Sequence, residues 1–340
     1  MKRALSFDDV LIVPKYSDLE TRKSIDISVD HPRFNNALKI PIVSAPMDSI
    51  TEAAMASTID SVGGLGIIHR YNSIEKQESL VHQCYMGGAN NIGAAVGVTG
   101  DYRERSHALV KAGANVICVD VAHGHHALMK ACLNVLRKDF GDDIHIMAGN
   151  VATLEGFNDI SDWGADSVRV GIGGGSICST RLQTGHGVPT LQSVIDCSRS
   201  DRDALLIADG GIKNSGDMVK ALAAGADLLM CGSLLSGTNE TPGEVIQNSS
   251  GQKRKVYRGM ASREAQKSWR NAVGSMEGVA TTVPTKGPVT NVILDLSWGI
   301  KSGLSYSGAS SLSQFRAKAT FVEQTSAGTK ESNTHILSAN

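Results

Sequence analysis

Eight short apolar runs punctuate this chain: Ile40–Ser44, Leu65–His69, Ile92–Val96, Val116–Asp120, Ile144–Ala148, Ser167–Val170, Leu205–Asp209 and Leu228–Gly232. Each is rich in Val, Ile and Leu on both faces, the pattern of strands buried in a parallel sheet. Stretches with the helical period separate them, among them Glu52–Ser61, Arg103–Ala112, His125–Lys138 and Ser215–Ala224. Each unit has the length that one strand, one helix and two loops require. One turn recurs three times, as Ala112-Gly113-Ala114-Asn115, Trp163-Gly164-Ala165-Asp166 and Ala224-Gly225-Ala226-Asp227. There a glycine suits the left-handed residue that ends a helix. The pattern predicts an α/β fold, a closed (β/α)8 barrel of the TIM type, in preference to an open doubly wound sheet. No G-x-G-x-x-G opens the first helix, which weighs against the open sheet.

After Ser233 the alternation stops, and it resumes only at the last barrel helix, Val289–Gly303. A long segment here, about residues 234–288, is expected to be an active-site flap, because catalytic loops leave the C-terminal ends of barrel strands. The whole chain is read as a single barrel domain, with a mobile tail over about 325–340. Lys253-Arg254-Lys255 inside the flap is expected to be a solvated turn.

The net charge of −1 and the absence of any long basic run argue against nucleic acid as a partner. No stretch reaches the ~20 apolar residues of a spanning helix, so no membrane partner is expected. The N-terminus meets Asp8 and Asp9 before any apolar region and does not read as a signal peptide. Six cysteines stand singly at 84, 118, 132, 178, 197 and 231, a reduced pattern that places the protein in the cytoplasm. Cys118 and Cys231 fall inside apolar runs and read as buried, inert thiols.

Candidate chemistry gathers at the ends of the later strands. Asp209-Gly210-Gly211 follows strand seven and Gly232-Ser233 follows strand eight, where barrels commonly hold phosphate on exposed backbone N–H groups. Asp209 itself suits two hydrogen bonds from a ribose diol. Strand six runs into Gly171-Ile172-Gly173-Gly174-Gly175-Ser176-Ile177-Cys178, four glycines in five residues and then a thiol. Such a loop can build an anion nest or a monovalent-cation site, and Cys178 is placed to act as a nucleophile. His123, His125 and His126 are read as contacts to a cofactor or to the residues behind it, and not as a metal site.

The thiol loop Gly173–Arg181, together with Phe7-Asp8-Asp9-Val10, Ser44-Ala45-Pro46-Met47-Asp48, Ala148-Gly149-Asn150, Asp209-Gly210-Gly211 and Tyr257-Arg258-Gly259-Met260, resembles the IMP dehydrogenase/GMP reductase family. The likeness spans roughly residues 5 to 323. It implies a thioimidate between Cys178 and C2 of a purine nucleotide (GMP or IMP), with a nicotinamide cofactor beside it. Thr180 and Glu277 become the proton-transfer pair. Ser176, Asp209, Gly210, Gly211, Gly232, Ser233, Tyr257, Gly259, Met260 and Gly278 become substrate contacts. Arg70, Asp120, Val121, Ala122 and Gly173 become cofactor contacts, with a plain surface charge the alternative for Arg70. Gly173, Gly175, Cys178 and Arg181 match the family's potassium site, and the family tendency is a homotetramer.

Within that family the chain is most similar to GMP reductases, which implies NADPH as cofactor. Strands two and three are joined by an ordinary connection, without the regulatory CBS modules usual in dehydrogenases. Ala261–Met276 holds no Arg-Tyr pair of the kind dehydrogenases use to activate water; Trp269-Arg270-Asn271 is the nearest match. Thr184-Gly185-His186-Gly187 looks like the reductases' T-G-x-G. Against this, Asp120-Val121-Ala122-His123-Gly124-His125 resembles dehydrogenases, and Val273-Gly274 do not match the reductases' flap contacts. Gly174 and Ser179 also depart from the family pattern. A CBS-free IMP dehydrogenase and an inactive nucleotide-binding homologue remain the alternatives.

Overall fold

The computed structural model describes residues 3–270 and 274–332. Eight parallel strands close into a barrel: β1 (Ile42–Ser44), β2 (Leu65–Ile68), β3 (Ile92–Val96), β4 (Val116–Asp120), β5 (His145–Val151), β6 (Ser167–Val170), β7 (Leu205–Asp209) and β8 (Leu228–Cys231). They are hydrogen-bonded in chain order, and β1 pairs with β8 to complete the ring. Every run in the apolar pattern became a strand, because each is buried on both faces by barrel interior and covering helices. The three recurrent turns behave alike. Gly113, Gly164 and Gly225 have φ of +115°, +107° and +115°, a region that penalises any side chain.

Beyond β8 the chain builds a three-stranded antiparallel sheet from β9 (Ile246–Gln247), β10 (Lys253–Arg258) and β11 (Ala280–Pro284). The solvated turn expected at Lys253-Arg254-Lys255 is instead the start of β10. Lys255 is 4% exposed. Its Nζ donates to the carbonyls of Thr238, Asn239 and Thr241 at 3.1, 3.1 and 2.6 Å and to the Thr241 hydroxyl at 3.2 Å. Lys286 adds a second anchor, donating to the carbonyls of Ser233 and Leu234 at 3.0 Å each. The two ammonium groups fasten the flap sheet to the turns that follow β8. The helix Arg263–Arg270 lies between β10 and β11.

The segment read as a mobile tail contains a helix, Ser326–Glu331, capped by Thr325. Its Thr329 hydroxyl donates to the Asp8 carbonyl at 3.1 Å. Residues 333–340 lie outside the described residues. At the N-terminal end of the barrel, His145 is wholly buried, stacked on Phe34 at 4.4 Å between centroids. It is hydrogen-bonded to Ser167 Oγ at 2.8 Å and to His31 Nδ1 at 3.2 Å. Among the described residues no helix is long and apolar enough to cross a membrane.

Candidate active site

A cavity of about 560 Å³ opens at the C-terminal end of the barrel, between the thiol loop and the flap. Its thiol is Cys178. The other five cysteines are buried, and burial pushes Cys118, Cys132, Cys197 and Cys231 up to about 12. Cys178 is exposed and paired through backbone with Gly278 at the end of the flap. Ser179 N donates to Glu277 O at 2.9 Å and Val279 N to Ile177 O at 3.0 Å. That short ladder brings residues almost a hundred positions apart into register.

A proton path results. The Cys178 thiol donates to Thr180 Oγ1 at 3.2 Å, and the Thr180 hydroxyl donates to Glu277 Oε2 at 2.8 Å. Ser275 Oγ holds the other oxygen of the carboxylate, Oε1, at 3.2 Å. The flap stretch Ala261–Met276 is closed by Gln266, whose amide donates to the Ala261 and Ser275 carbonyls at 3.0 and 2.8 Å and accepts from Gly274 N at 2.7 Å. Neither Gln266 nor Ser275 stood out in the sequence, where both read as ordinary polar loop residues. Asn271 and Val273 lie outside the described residues.

Where phosphate binding was expected, Gly210, Gly211, Gly232 and Ser233 all line the cavity. Ser176 Oγ sits 3.1 Å from the Tyr257 hydroxyl. Burial pushes the Tyr257 phenol up, partly offset by its bonds to the Ser176 and Ser233 side chains, so it stays a neutral donor. Met260 and Gly259 also line the cavity. Gly278 contributes backbone pairing with Cys178 and is absent from the lining.

The expected cofactor side is built from Arg70, Asp120, Val121, Ala122 and Gly173, all on the cavity wall. Three aromatic and cationic groups crowd there. The Arg70 guanidinium lies 5.0 Å from the Tyr71 ring centroid and 5.9 Å from that of Trp269, and the two rings meet edge-on at 4.9 Å. Tyr71 OH is 3.5 Å from Asp120 Oδ2. Burial, then the Asp120 charge, drive the Tyr71 pKa well above its usual value.

Arg169 is the main residue that the sequence concealed. It stands in the middle of β6, in a run read as apolar on both faces, yet it is 6% exposed and joins two carboxylates. Its Nη1 donates to Asp120 Oδ1, while Nε and Nη2 donate to Asp209 Oδ2 at 3.2 and 2.9 Å. Despite desolvation, the two carboxylates hold its pKa well above the usual value. Asn150 Nδ2 also donates to Asp209 Oδ2, at 2.7 Å. A lone arginine inside a β-branched run was the available signal.

Arg181 and the three histidines occupy defined places. The Arg181 carbonyl accepts from Gly185 N at 3.1 Å, and its guanidinium donates to Val188 O at 2.7 Å. None of His123, His125 and His126 lines the cavity. His125 pairs with Asp159 at 2.8 Å, and His126 caps the helix Ala127–Phe140 through a bond from Leu128 N at 3.0 Å. Among the described residues no group of His, Cys, Asp and Glu is arranged to hold a metal ion.

Fold and site together define a (β/α)8-barrel protein whose exposed loop thiol is hydrogen-bonded through a hydroxyl to a carboxylate. The chain belongs to the IMP dehydrogenase/GMP reductase family, whose domain model matches residues 4–335. Members of that family are oxidoreductases acting on purine nucleotides. An inosine-5'-monophosphate dehydrogenase of Nitrosopumilus maritimus is 34% identical over 98% of each chain. A GMP reductase of Leishmania major is 31% identical over 99% of this chain and 98% of its own. The alignments run over 471 and 483 residues, so well over a hundred positions in each relative have no counterpart here. Extra length is thus common to relatives of both names. Among solved structures, a cysteine-to-alanine variant of GMP reductase from Trypanosoma brucei, in complex with guanosine 5'-monophosphate, superimposes with a TM-score of 0.93 at 30% identity over 98% of each chain.

Proposed function

We propose that this protein is a GMP reductase, converting GMP to IMP and ammonia at the expense of NADPH. The observation that carries the reading is the relay Cys178–Thr180–Glu277 beside a flap that supplies no Arg-Tyr pair. The cavity does hold one arginine–tyrosine neighbour pair, Arg70-Tyr71, from the loop after β2. Its phenol is a poor base, because burial and Asp120 both oppose phenolate. Water activation is therefore unsupported from either source, while delivery of a proton to a leaving amine is supported.

The thiol proton passes to Thr180 as the Thr180 hydroxyl proton passes to Glu277. Sγ of Cys178 then bonds to C2 of the purine. The C2–N bond breaks, the amine leaving as ammonia with the proton that the relay returns, and a thioimidate remains on Cys178. Arg70, Asp120, Val121, Ala122 and Gly173 would hold NADPH, whose chemistry there would be hydride donation at C2. The C–S bond breaks and the thiolate is restored; one proton is drawn from solvent per neutral ammonia released. Asp209 takes the ribose diol, and Ser176, Ser233, Tyr257 and the glycine turns take the phosphate. Potassium suits the carbonyls of Gly173, Gly175 and Cys178 in donor type, and there it would hold the thiol loop in shape. The family's tetramer and a cytoplasmic location belong to the same proposal.

Cofactor absorbance tests the reading directly. In the presence of GMP, NADPH is expected to be oxidised steadily with release of IMP and ammonia. IMP with NAD⁺ is expected to give one burst of reduced cofactor per site and then stall, since lacking a general base costs about 10²–10⁴-fold. Sustained release of XMP would make the protein a dehydrogenase, and nucleotide binding with neither reaction would make it an inactive homologue.

A further inference from the structure

We propose that Arg169 is a positioning residue that couples the nucleotide and cofactor halves of the site. The inference rests on the reading just given, in which Asp209 meets the nucleotide's ribose and Asp120 meets the cofactor's. Asp120 ends β4 and Asp209 ends β7, on opposite sides of β5 and β6. A single guanidinium spans them, with Nη1 on Asp120 Oδ1 and both Nε and Nη2 on Asp209 Oδ2. The span depends on Gly149 of β5, since a Cβ there would meet Arg169 Cβ at 2.6 Å. All three side chains line the cavity.

Each carboxylate has one oxygen committed to Arg169 and the other turned elsewhere. The three protein donors to Asp209 all fall on Oδ2, which leaves Oδ1 for a ligand hydroxyl. Asp120 Oδ2 has only long contacts, 3.5 Å to Tyr71 OH and 3.8 Å to Arg70 Nε. One positive charge is divided between two negative ones in a buried place, so neither hold is independent. Neutralising Asp209 leaves the guanidinium wholly to Asp120. It can then engage Oδ2 as well, and Asp120 becomes a weaker acceptor for a sugar hydroxyl. The same argument runs in the other direction from Asp120 to Asp209. Two sites that bias one shared side chain are energetically linked, and the link is reciprocal.

The test uses each ligand alone, so that stacking between base and nicotinamide plays no part. Binding constants for NADPH and for GMP are measured by calorimetry on the full chain and on Asp209→Asn, Asp120→Asn and Arg169→Met. A thermal melt accompanies each variant, and Arg169→Lys replaces Arg169→Met should the latter fail to fold. The expected result is crossed: Asp209→Asn weakens NADPH by about fivefold or more, and Asp120→Asn weakens GMP similarly. In the Arg169 background both crossed effects fall within twofold of unity, although each aspartate still affects its own ligand. A merely structural arginine would lower both affinities without removing the crossed terms. If the unaltered protein binds both ligands and Asp209→Asn leaves NADPH affinity unchanged, the coupling is refuted while the site assignment survives. If the unaltered protein binds neither ligand, the assignment fails and the coupling with it.

Discussion

At the scale of single residues, the relay separates reactivity from binding. Cys178 touches only Thr180 among the groups proposed for catalysis, while Asp209 and the glycine turns proposed for phosphate follow other strands. Cys178→Ser is therefore expected to abolish turnover and to leave GMP affinity within about tenfold, or 1.4 kcal/mol, by calorimetry. Loss of GMP binding would show that the thiol also holds the ligand. Glu277→Gln keeps a hydrogen-bond acceptor for Thr180 but removes the proton store, and steady-state kcat is expected to fall about 10²–10⁴-fold. The thiol, the glycine turns and Asp209 were legible in the sequence because each interrupts a pattern at a strand end. Arg169 was not, since a mean over the four-residue run Ser-Val-Arg-Val hides one charge, and its partners come from β4 and β7.

At the scale of elements, two ammonium groups tie the flap sheet to the turns that follow β8. Lys255 points the same way as Tyr257, two residues on along β10, so its anchor fixes the strand that carries the phenol. Lys255→Met takes the ammonium donor from the Thr238, Asn239 and Thr241 carbonyls; Thr238 keeps the bond from the Thr241 hydroxyl at 2.8 Å, while the buried Thr241 carbonyl loses its 2.6 Å donor. Each unsatisfied group costs about 1–3 kcal/mol, and a drop in stability of at least that size is expected in urea unfolding. KM for GMP should rise with it, whereas a variant with unchanged stability and KM would mean that water replaces the ammonium group. The sequence misled here because three basic residues in a row are usually solvated. The two-residue period that buries Lys255 with Tyr257 was present, but its inward positions are polar. The barrel strands, by contrast, were legible throughout, because both their faces are apolar and no partner is needed to see them.

At the scale of the molecule, the N-terminal end of the barrel makes folding sensitive to acid. Desolvation holds His145 neutral, its pKa well below the usual 6.5. Below about pH 6.5 the unfolded chain gains a proton that the folded chain refuses, so folding stability falls as pH falls. The limiting slope for one such group is about 1.4 kcal/mol per pH unit. His31, at its side, is lowered for the same reason, desolvation. The stability difference between the parent and His145→Gln should therefore be level above about pH 7 and decline below about pH 6. A difference independent of pH would mean that water reaches the imidazole.

The contrast between one exposed thiol and five buried ones gives the protein a built-in counter. A small alkylating reagent at neutral pH should add a single mass increment per folded chain, at Cys178, and up to six once the chain is unfolded. Protection of that one adduct by GMP, followed by mass spectrometry, then measures site occupancy without any cofactor or turnover. The same asymmetry makes Cys178 the first cysteine exposed to oxidants, so activity lost under peroxide and recovered with a thiol reductant would report a reversible change at a known atom.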